Sequence, residues 1–437
     1  MPGWSPRRSV TRGLGEWEPT AAHQRAVVLA AAGAIAAVLG RRPDLLVIVT
    51  PLVVAAAWGQ LARPRTDVTG TARLGETTLR EGGVTGLEVS IEPPLDDVHG
   101  IVTVAQAPWV ERKPASGIAP LDDGTASLGL RSTRWGRRRV GTVSIALAST
   151  WGAFRAGPVD LPDLLTATLP VPAAFDAQAP TPHPRGIVGL NRSSRPGSGT
   201  EFSSIRPFHP GDRLRRIHWP ISMRTGALHV TSTYADEDAH VFLLVDCFSD
   251  VGPREGIDGR PTSLDVTVRA AGAMSEHFLR TSDRLTLRTV GAAKVPVLGT
   301  GSGTNHLRRV LDTLAAISPA TDRRDTGEQA VRGIDPMALC LVLSPLIEPA
   351  TVGLAHRLAS RGMTVVVVDT FPEHLVTDPT NVYESLAWRI RLLSRDAEVH
   401  SLRLRGVPVV PWRGPGSLDL VLRDISRRAS APRMTRR

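Results

Sequence analysis

Two charge-free apolar runs dominate the start of the hydropathy pattern. Residues 26–40 read AVVLAAAGAIAAVLG and residues 45–59 read LLVIVTPLVVAAAWG, with Arg41, Arg42, Pro43 and Asp44 between them. A spanning helix needs about 20 apolar residues, so flanking residues must extend each run. Pro43 and its charged neighbours make a tight turn. The pattern predicts a two-helix transmembrane hairpin over 26–62, after an N-terminal segment, 1–25. A signal peptide, a buried soluble hairpin and a single span with a re-entrant partner are the competing readings. The long charged leader and the second apolar run directly after the first argue against a signal peptide.

Past the hairpin the period shortens to two. Leu87-Glu88-Val89-Ser90-Ile91 and Val140-Gly141-Thr142-Val143-Ser144-Ile145 alternate, and Gly82-Gly83, Pro93-Pro94 and Gly157-Pro158 punctuate them. This predicts a small β-sandwich or barrel over 68–170. Its basic run 134–139, RWGRRR, reads as a solvated hairpin tip or a contact for a partner or lipid. Residues 171–198, rich in Pro, Gly, Ser and Arg, read as a linker.

From residue 237 to 426, apolar strands alternate with helical periods. HVFLLVD (240–246), 285–290, CLVLS (340–344) and TVVVVD (364–369) read as strands; 264–280, 305–317 and 350–361 read as helices. Continuous apolar strands fit a parallel sheet covered on both faces. The fold class is therefore α/β, with a C-terminal doubly wound domain. Asp246, Ser344 and Asp369 fall at the strands' C-terminal ends, where such sheets carry function. The basic tail 427–437 reads as disordered, with anionic lipid as a contact.

Composition and charge change this picture further. The net charge of +10 points to anionic partners. Lys113 and Lys294 are the only lysines, and neither follows the glycine that a phosphate-cradling Gly-Lys pair requires, so a Walker A nucleotide site is excluded. Cys247 and Cys340 each adjoin an apolar strand and read as buried thiols in a reducing compartment. No catalytic nucleophile elbow or zinc-protease helix occurs. Basic residues are dispersed and aromatics scarce, against specific nucleic-acid binding. Arg7, Arg8, Arg12 and Arg25 precede the hairpin and Arg63, Arg65 and Arg73 follow it, against only Arg41 and Arg42 in its turn. Positive charge stays inside, so both termini and the soluble domains are expected in the cytoplasm of a multi-pass membrane protein.

The densest motif spans 199–236, where 199–230 reads GTEFSSIRPFHPGDRLRRIHWPISMRTGALHV. Pro210-Gly211 sets a turn, Asp212 caps a short helix, and Trp219 ends that helix and packs on the domain. Arg206, Arg213, Arg215, Arg216 and Arg224 either grip a partner's carboxylates or pair with the acidic run Asp236-Glu237-Asp238. Gly199, Glu201, Phe202, Ile205, Arg206, Phe208, Gly211, Asp212, Arg215 or Arg216, Ile217, Trp219, Ser222 and Arg224 match a bacterial family pattern. The chain thereby resembles the domain of unknown function 58 family, and Trp151-Gly152-Ala153-Phe154-Arg155 looks like that family's degenerate Gly-Leu-Phe segment.

The resemblance implies a von Willebrand factor type A-like fold and a partner: a MoxR-type AAA+ ATPase, with a transglutaminase-like membrane protein often encoded nearby. It also implies a divalent metal at the sheet's edge. Asp246 and Asp250 are the candidate metal ligands, but Phe248 and Asp250 stand where two serines belong and Ser344 where a later Asp belongs. Mg²⁺ would suit such oxygens; otherwise Asp246 is a capping or partner-contacting residue, and no cofactor is expected. The chain is thus expected to be no enzyme but a membrane-anchored adaptor for a MoxR-type ATPase in complex assembly or envelope-related processes. A metal-dependent ligand-binding receptor and a non-catalytic subunit of an envelope-biogenesis enzyme are the alternatives.

Overall fold

The computed structural model describes residues 7–95, 98–171, 192–209, 212, 214–236, 240–292, 297–319, 330–372, 382–414, 416, 417, 419 and 422. They form a mixed α/β chain that divides into two compact units, 1–169 and 170–437.

The first unit contains two apolar helices, α1 (Ala21–Leu39) and α2 (Asp44–Leu61). Both are long and apolar enough to cross a membrane. At 1.5 Å per residue each spans about 28 Å, close to the hydrocarbon thickness of a bilayer. Thr20 caps α1, its hydroxyl accepting from the His23 N–H at 3.3 Å. A Cβ on Gly33 would lie 2.3 Å from Val49 Cγ2, so glycine is what lets the helices approach. Their outward apolar residues, among them Val28, Leu39, Val47 and Ile48, are 65–79% exposed.

Two five-stranded antiparallel sheets and a three-stranded mixed sheet make up the rest of the unit. The strand Val84–Glu92 shows the cause: its residues alternate between buried and exposed, placing Leu87, Val89 and Ile91 inside. They share one core with Val102, Ile145, Leu147 and Phe154 from the other sheet. The sequence sets residues 1–25 apart, yet the strand Ser9–Gly13 pairs antiparallel with Thr69–Leu74, and Glu18–Pro19 pairs with Phe154–Arg155. Leu14 and Trp17 enter the core as well. The helical hairpin is therefore an insertion between strands of the β domain. Ser9–Gly13 buries only Val10, too little alternation for the pattern to reveal it.

The RWGRRR run is not a solvated tip. Gly136–Arg139 is a strand paired with Leu165–Leu169. Arg134 is 6% exposed, its guanidinium 5.2 Å from the Trp109 ring centroid and 5.6 Å from that of Trp135. The tryptophans give Arg134 a structural role, a planar cation stacking on indole faces, while Arg137 and Arg139 on the strand stay exposed.

The second unit holds a five-stranded parallel sheet. Its strands, in chain order, are His240–Asp246, Arg284–Val290, Leu339–Ser344, Thr364–Asp369 and Val409–Pro411. In space the order is second, first, third, fourth, fifth. Further helices are α3 (Trp219–Thr225), α4 (Ser263–Arg280), α5 (Gly303–Leu314), α6 (Pro349–Ser360) and α7 (Val382–Leu404). Phe242, Leu244, Cys340, Val342, Val365 and Val367 face a core shared with α6 and α7. The intervening strand residues, Val241, Leu243, Leu341 and Val366, are also fully buried, and α4 packs on the first three strands. Apolar residues on both faces are the reason these strands read as unbroken hydrophobic runs.

Candidate functional site

Where a parallel sheet's connections leave one strand in opposite directions, a crevice opens at the strands' C-terminal ends. Here that point lies between His240–Asp246 and Leu339–Ser344, and Asp246 ends the first of them. Its carboxylate is buried. Oδ2 accepts from Ser344 Oγ at 2.6 Å and from Thr351 Oγ1, in the first turn of α6, at 2.9 Å. Oδ1 accepts the Phe248 N–H at 3.0 Å. Ser344 Oγ in turn accepts the Leu346 N–H at 2.9 Å. Burial pushes the Asp246 carboxyl above the usual carboxylate range, partly offset by these donors.

The neighbouring acids are engaged elsewhere. Asp250 lies 3.4 Å from Arg254 Nε. Asp369 ends the fourth strand and is gripped by Arg395 of α7, whose Nε also donates to the Pro345 carbonyl at 2.8 Å. The Arg395 guanidinium stacks 4.5 Å from the Phe371 ring centroid. A hard divalent cation takes six or more oxygens, several of them carboxylate. Asp246 brings one carboxylate and two hydroxyls, and among the described residues no group of three His, Cys, Asp or Glu could hold a metal. These residues do not fit the metal that the resemblance implies. Nor do the thiols fit nucleophilic chemistry: both are buried, and burial raises Cys247 well above the usual thiol range and Cys340 to about 12.

The arginine-rich motif is built differently. Arg192–Pro207 and His229–Asp236 form a two-stranded antiparallel sheet. Arg206 reaches from the first strand to Asp212, Nη1 to Oδ2 at 2.8 Å and Nη2 to Oδ1 at 2.6 Å. Asp212 Oδ2 also accepts the His209 N–H at 2.9 Å, and the Asp212 N–H returns to the His209 carbonyl at 3.0 Å. The Arg206 hydrogen bond, then that of the His209 N–H, holds the Asp212 carboxyl below the ordinary range. Asp212 thus closes the turn behind it, and a single 3-10 turn, Leu214–Arg216, follows. His218 is the N-cap of α3, its Nδ1 accepting from the Ile221 N–H at 3.3 Å, and Pro220 follows in the first turn. Ser222 is buried and ties the helix to the second strand through the His229 N–H at 2.9 Å.

Trp219 opens α3 rather than ending a helix, and it is 60% exposed rather than packed. Met223, one turn on, and Leu214 are exposed beside the exposed Arg215 and Arg224; Arg216 is half-buried. Proline at the second helical position was the available signal for this start; histidine as a cap gave none. Pro210, Gly211, Arg213, Glu237 and Asp238 lie outside the described residues, as does the side chain of Asp236.

Residues 204–381 match the model of a family described as protein of unknown function DUF58. An uncharacterized protein of Mycobacterium tuberculosis is 29% identical over 132 residues, and so is one of Mycobacterium bovis. The match covers 30% of this chain, and the chain spans 41% of those relatives' length. The segment that carries Arg206, Asp212, Trp219 and Arg224 and four of the parallel strands is thus similar to DUF58 proteins, as the spacing of those residues led one to expect.

Proposed function

We propose that this chain is a membrane-anchored, non-catalytic adaptor whose motif surface binds another protein. One observation carries the reading: Leu214, Trp219 and Met223 are 60–81% exposed beside exposed Arg215 and Arg224. Trp219 and Met223 are one helical turn apart and share a face. Tryptophan, methionine and arginine are the residue types enriched at protein interfaces, and Trp and Arg supply most hot spots. Arg206, held by Asp212, shapes this surface instead of contacting a partner. The partner we favour is a MoxR-type AAA+ ATPase, on the resemblance alone; an acidic face on it would meet the two exposed arginines. Trp219→Ala and Arg224→Ala should each leave the thermal unfolding of the full chain nearly unchanged and weaken capture of the ATPase by about tenfold or more. Unaltered capture by both variants sinks the proposal.

The membrane part of the reading is a two-span hairpin with both flanks and all soluble parts cytoplasmic. The pairing of Ser9–Gly13 with Thr69–Leu74 supports it, because both ends of the hairpin feed one sheet. The corner at Trp151 adds weight. The Thr20 hydroxyl at the start of α1 donates to the Gly152 carbonyl at 2.7 Å, and Arg63 beyond α2 sits 5.3 Å from the Phe154 ring centroid. Trp151 itself is 78% exposed, beside the helix ends, where interfacial tryptophans anchor membrane proteins. In the parallel-sheet domain, the spatial strand order is that of doubly wound sheets, which favours a von Willebrand type A-like domain whose metal site has been replaced by the hydroxyl cluster on Asp246.

A further inference from the structure

The helix α7 begins where the family match ends, at residue 382. One side of it is firmly seated. Arg395, Val399 and Leu402 are buried, and Arg391 donates to the Ile347 carbonyl and pairs with Glu398 at 3.2 Å. Trp388 stacks on Phe371 with ring centroids 6.4 Å apart.

The opposite side is apolar and uncovered. Tyr383, Leu386, Ile390 and Leu393 are 54–83% exposed, and Ala397, His400 and Leu404 continue the line, also exposed. The steps between these residues alternate three and four along the whole helix, the heptad spacing of a coiled-coil seam. A globular helix with one buried face needs no second stripe, and solvated monomers rarely keep one this continuous.

We infer that this stripe is a dimer interface with a second copy of the same chain, formed as an antiparallel two-helix coiled coil. The charges flanking the stripe select that occupant. Arg389 and Asp396 are seven residues apart on the same edge of the seam; Asp396 lies 3.7 Å from Arg395 Nη1 of its own helix but its side chain is 73% exposed. In an antiparallel pair whose twofold axis passes level with Arg391 and Leu392, Ile390 meets the partner's Leu393, Leu386 the partner's Ala397, and Tyr383 the partner's His400. In that register Arg389 faces the partner's Asp396, and the symmetry repeats the ion pair. The other edge brings Ala387 opposite the partner's Ser394, two small residues that admit close approach. A parallel pairing would set Arg389 against alanine or serine. An anionic lipid surface would attract Arg389 but repel Asp396, whereas interfacial helices keep their polar flanks basic. The isologous contact also closes on itself, as a twofold interface must.

The test is the mass of the full chain in detergent micelles by light scattering, with detergent subtracted. The wild type should weigh twice the chain mass. Ile390→Glu combined with Leu393→Glu should give the monomer with unchanged thermal unfolding of the fold, since both side chains are exposed. Arg389→Glu alone and Asp396→Arg alone should each raise the dimer dissociation constant by about tenfold. The two together should restore it, because both ion pairs are then reversed. A monomeric wild type overturns the inference, as does a dimer that survives the glutamate pair. Charge reversals whose combination fails to rescue overturn the antiparallel register. Loss of vesicle binding in the glutamate pair with no change in mass assigns the stripe to lipid and overturns the dimer.

Discussion

At the scale of single residues, Asp246 and Asp212 show opposite electrostatics. Asp246 is buried and accepts from three donors. Removing it strands the Ser344 and Thr351 hydroxyls and the Phe248 N–H, and each unsatisfied buried group costs about 1–3 kcal/mol. Asp246→Ala should therefore destabilise the chain by about 3 kcal/mol or more, while Asp246→Asn, which keeps an acceptor and can turn the hydroxyls round, costs far less. Because burial raises this carboxyl above its unfolded value, the folded state holds the proton more tightly. Its contribution is greatest at low pH and is lost as pH rises through the raised value. Thermal unfolding from pH 4 to 8 should accordingly show Asp246→Asn gaining on the wild type as pH rises. Asp212 runs the other way. Its value is depressed by Arg206, so its contribution is complete above the ordinary carboxylate range and fades on acidification. Asp212→Ala should lower the melting temperature by less than Asp246→Ala, the pair being partly solvated. Adding millimolar Mg²⁺ should move neither melting curve, because a single carboxylate makes a weak site for a hard cation. Asp246 was legible in the sequence as a strand-end acid. Its Thr351 partner was not, because it lies 105 residues away and carries no motif.

At the scale of elements, legibility followed the strength of the periodic signal. His240–Asp246 and Thr364–Asp369 are unbroken apolar runs, and the structure places strands there. The helix α7 escaped because its two apolar faces, one inward and one outward, blur the single stripe that marks an amphipathic helix. The strand Val409–Pro411 has three residues, too few to carry a period. The basic run 134–139 misled because charge suggests solvent, and only the folded chain brings Trp109 to Arg134. The hairpin packs closely at small residues, Gly33 among them. Any side chain on Gly33 meets Val49, and overpacking of this kind costs about 1–3 kcal/mol. Without a hydrophobic drive between helices in lipid, close packing is what holds them. Gly33→Ala should lower resistance of the full chain to denaturing detergent, and Val49→Ala in the same chain should recover most of the loss. Equal losses in the single and double variants would show that the two helices do not pack through this contact.

At the scale of the whole molecule, the β domain and the hairpin constrain each other. The sheet contains Ser9–Gly13 before the helices and Thr69–Leu74 after them. A strand cannot pair across a bilayer, so the hairpin proposed to enter the membrane would have to cross it an even number of times. A single span would separate the two strands, and a cleaved leader would remove the first of them. Thr11 and Thr71 are cross-strand partners whose hydroxyls lie 2.9 Å apart on the exposed face. Cysteines at both positions fall within the geometry of a disulfide. The native Cys247 and Cys340 are buried and do not compete. Thr11→Cys with Thr71→Cys should therefore form an intramolecular disulfide on mild oxidation of isolated membranes, read as a mobility change reversed by reductant. On the proposed cytoplasmic orientation, the same two thiols should resist a membrane-impermeant maleimide in intact cells. The two readouts separate the possibilities. A disulfide with external labelling keeps the sheet and inverts the orientation. No disulfide, with one thiol labelled and the other protected, means that one helix alone crosses and that the two strands never meet.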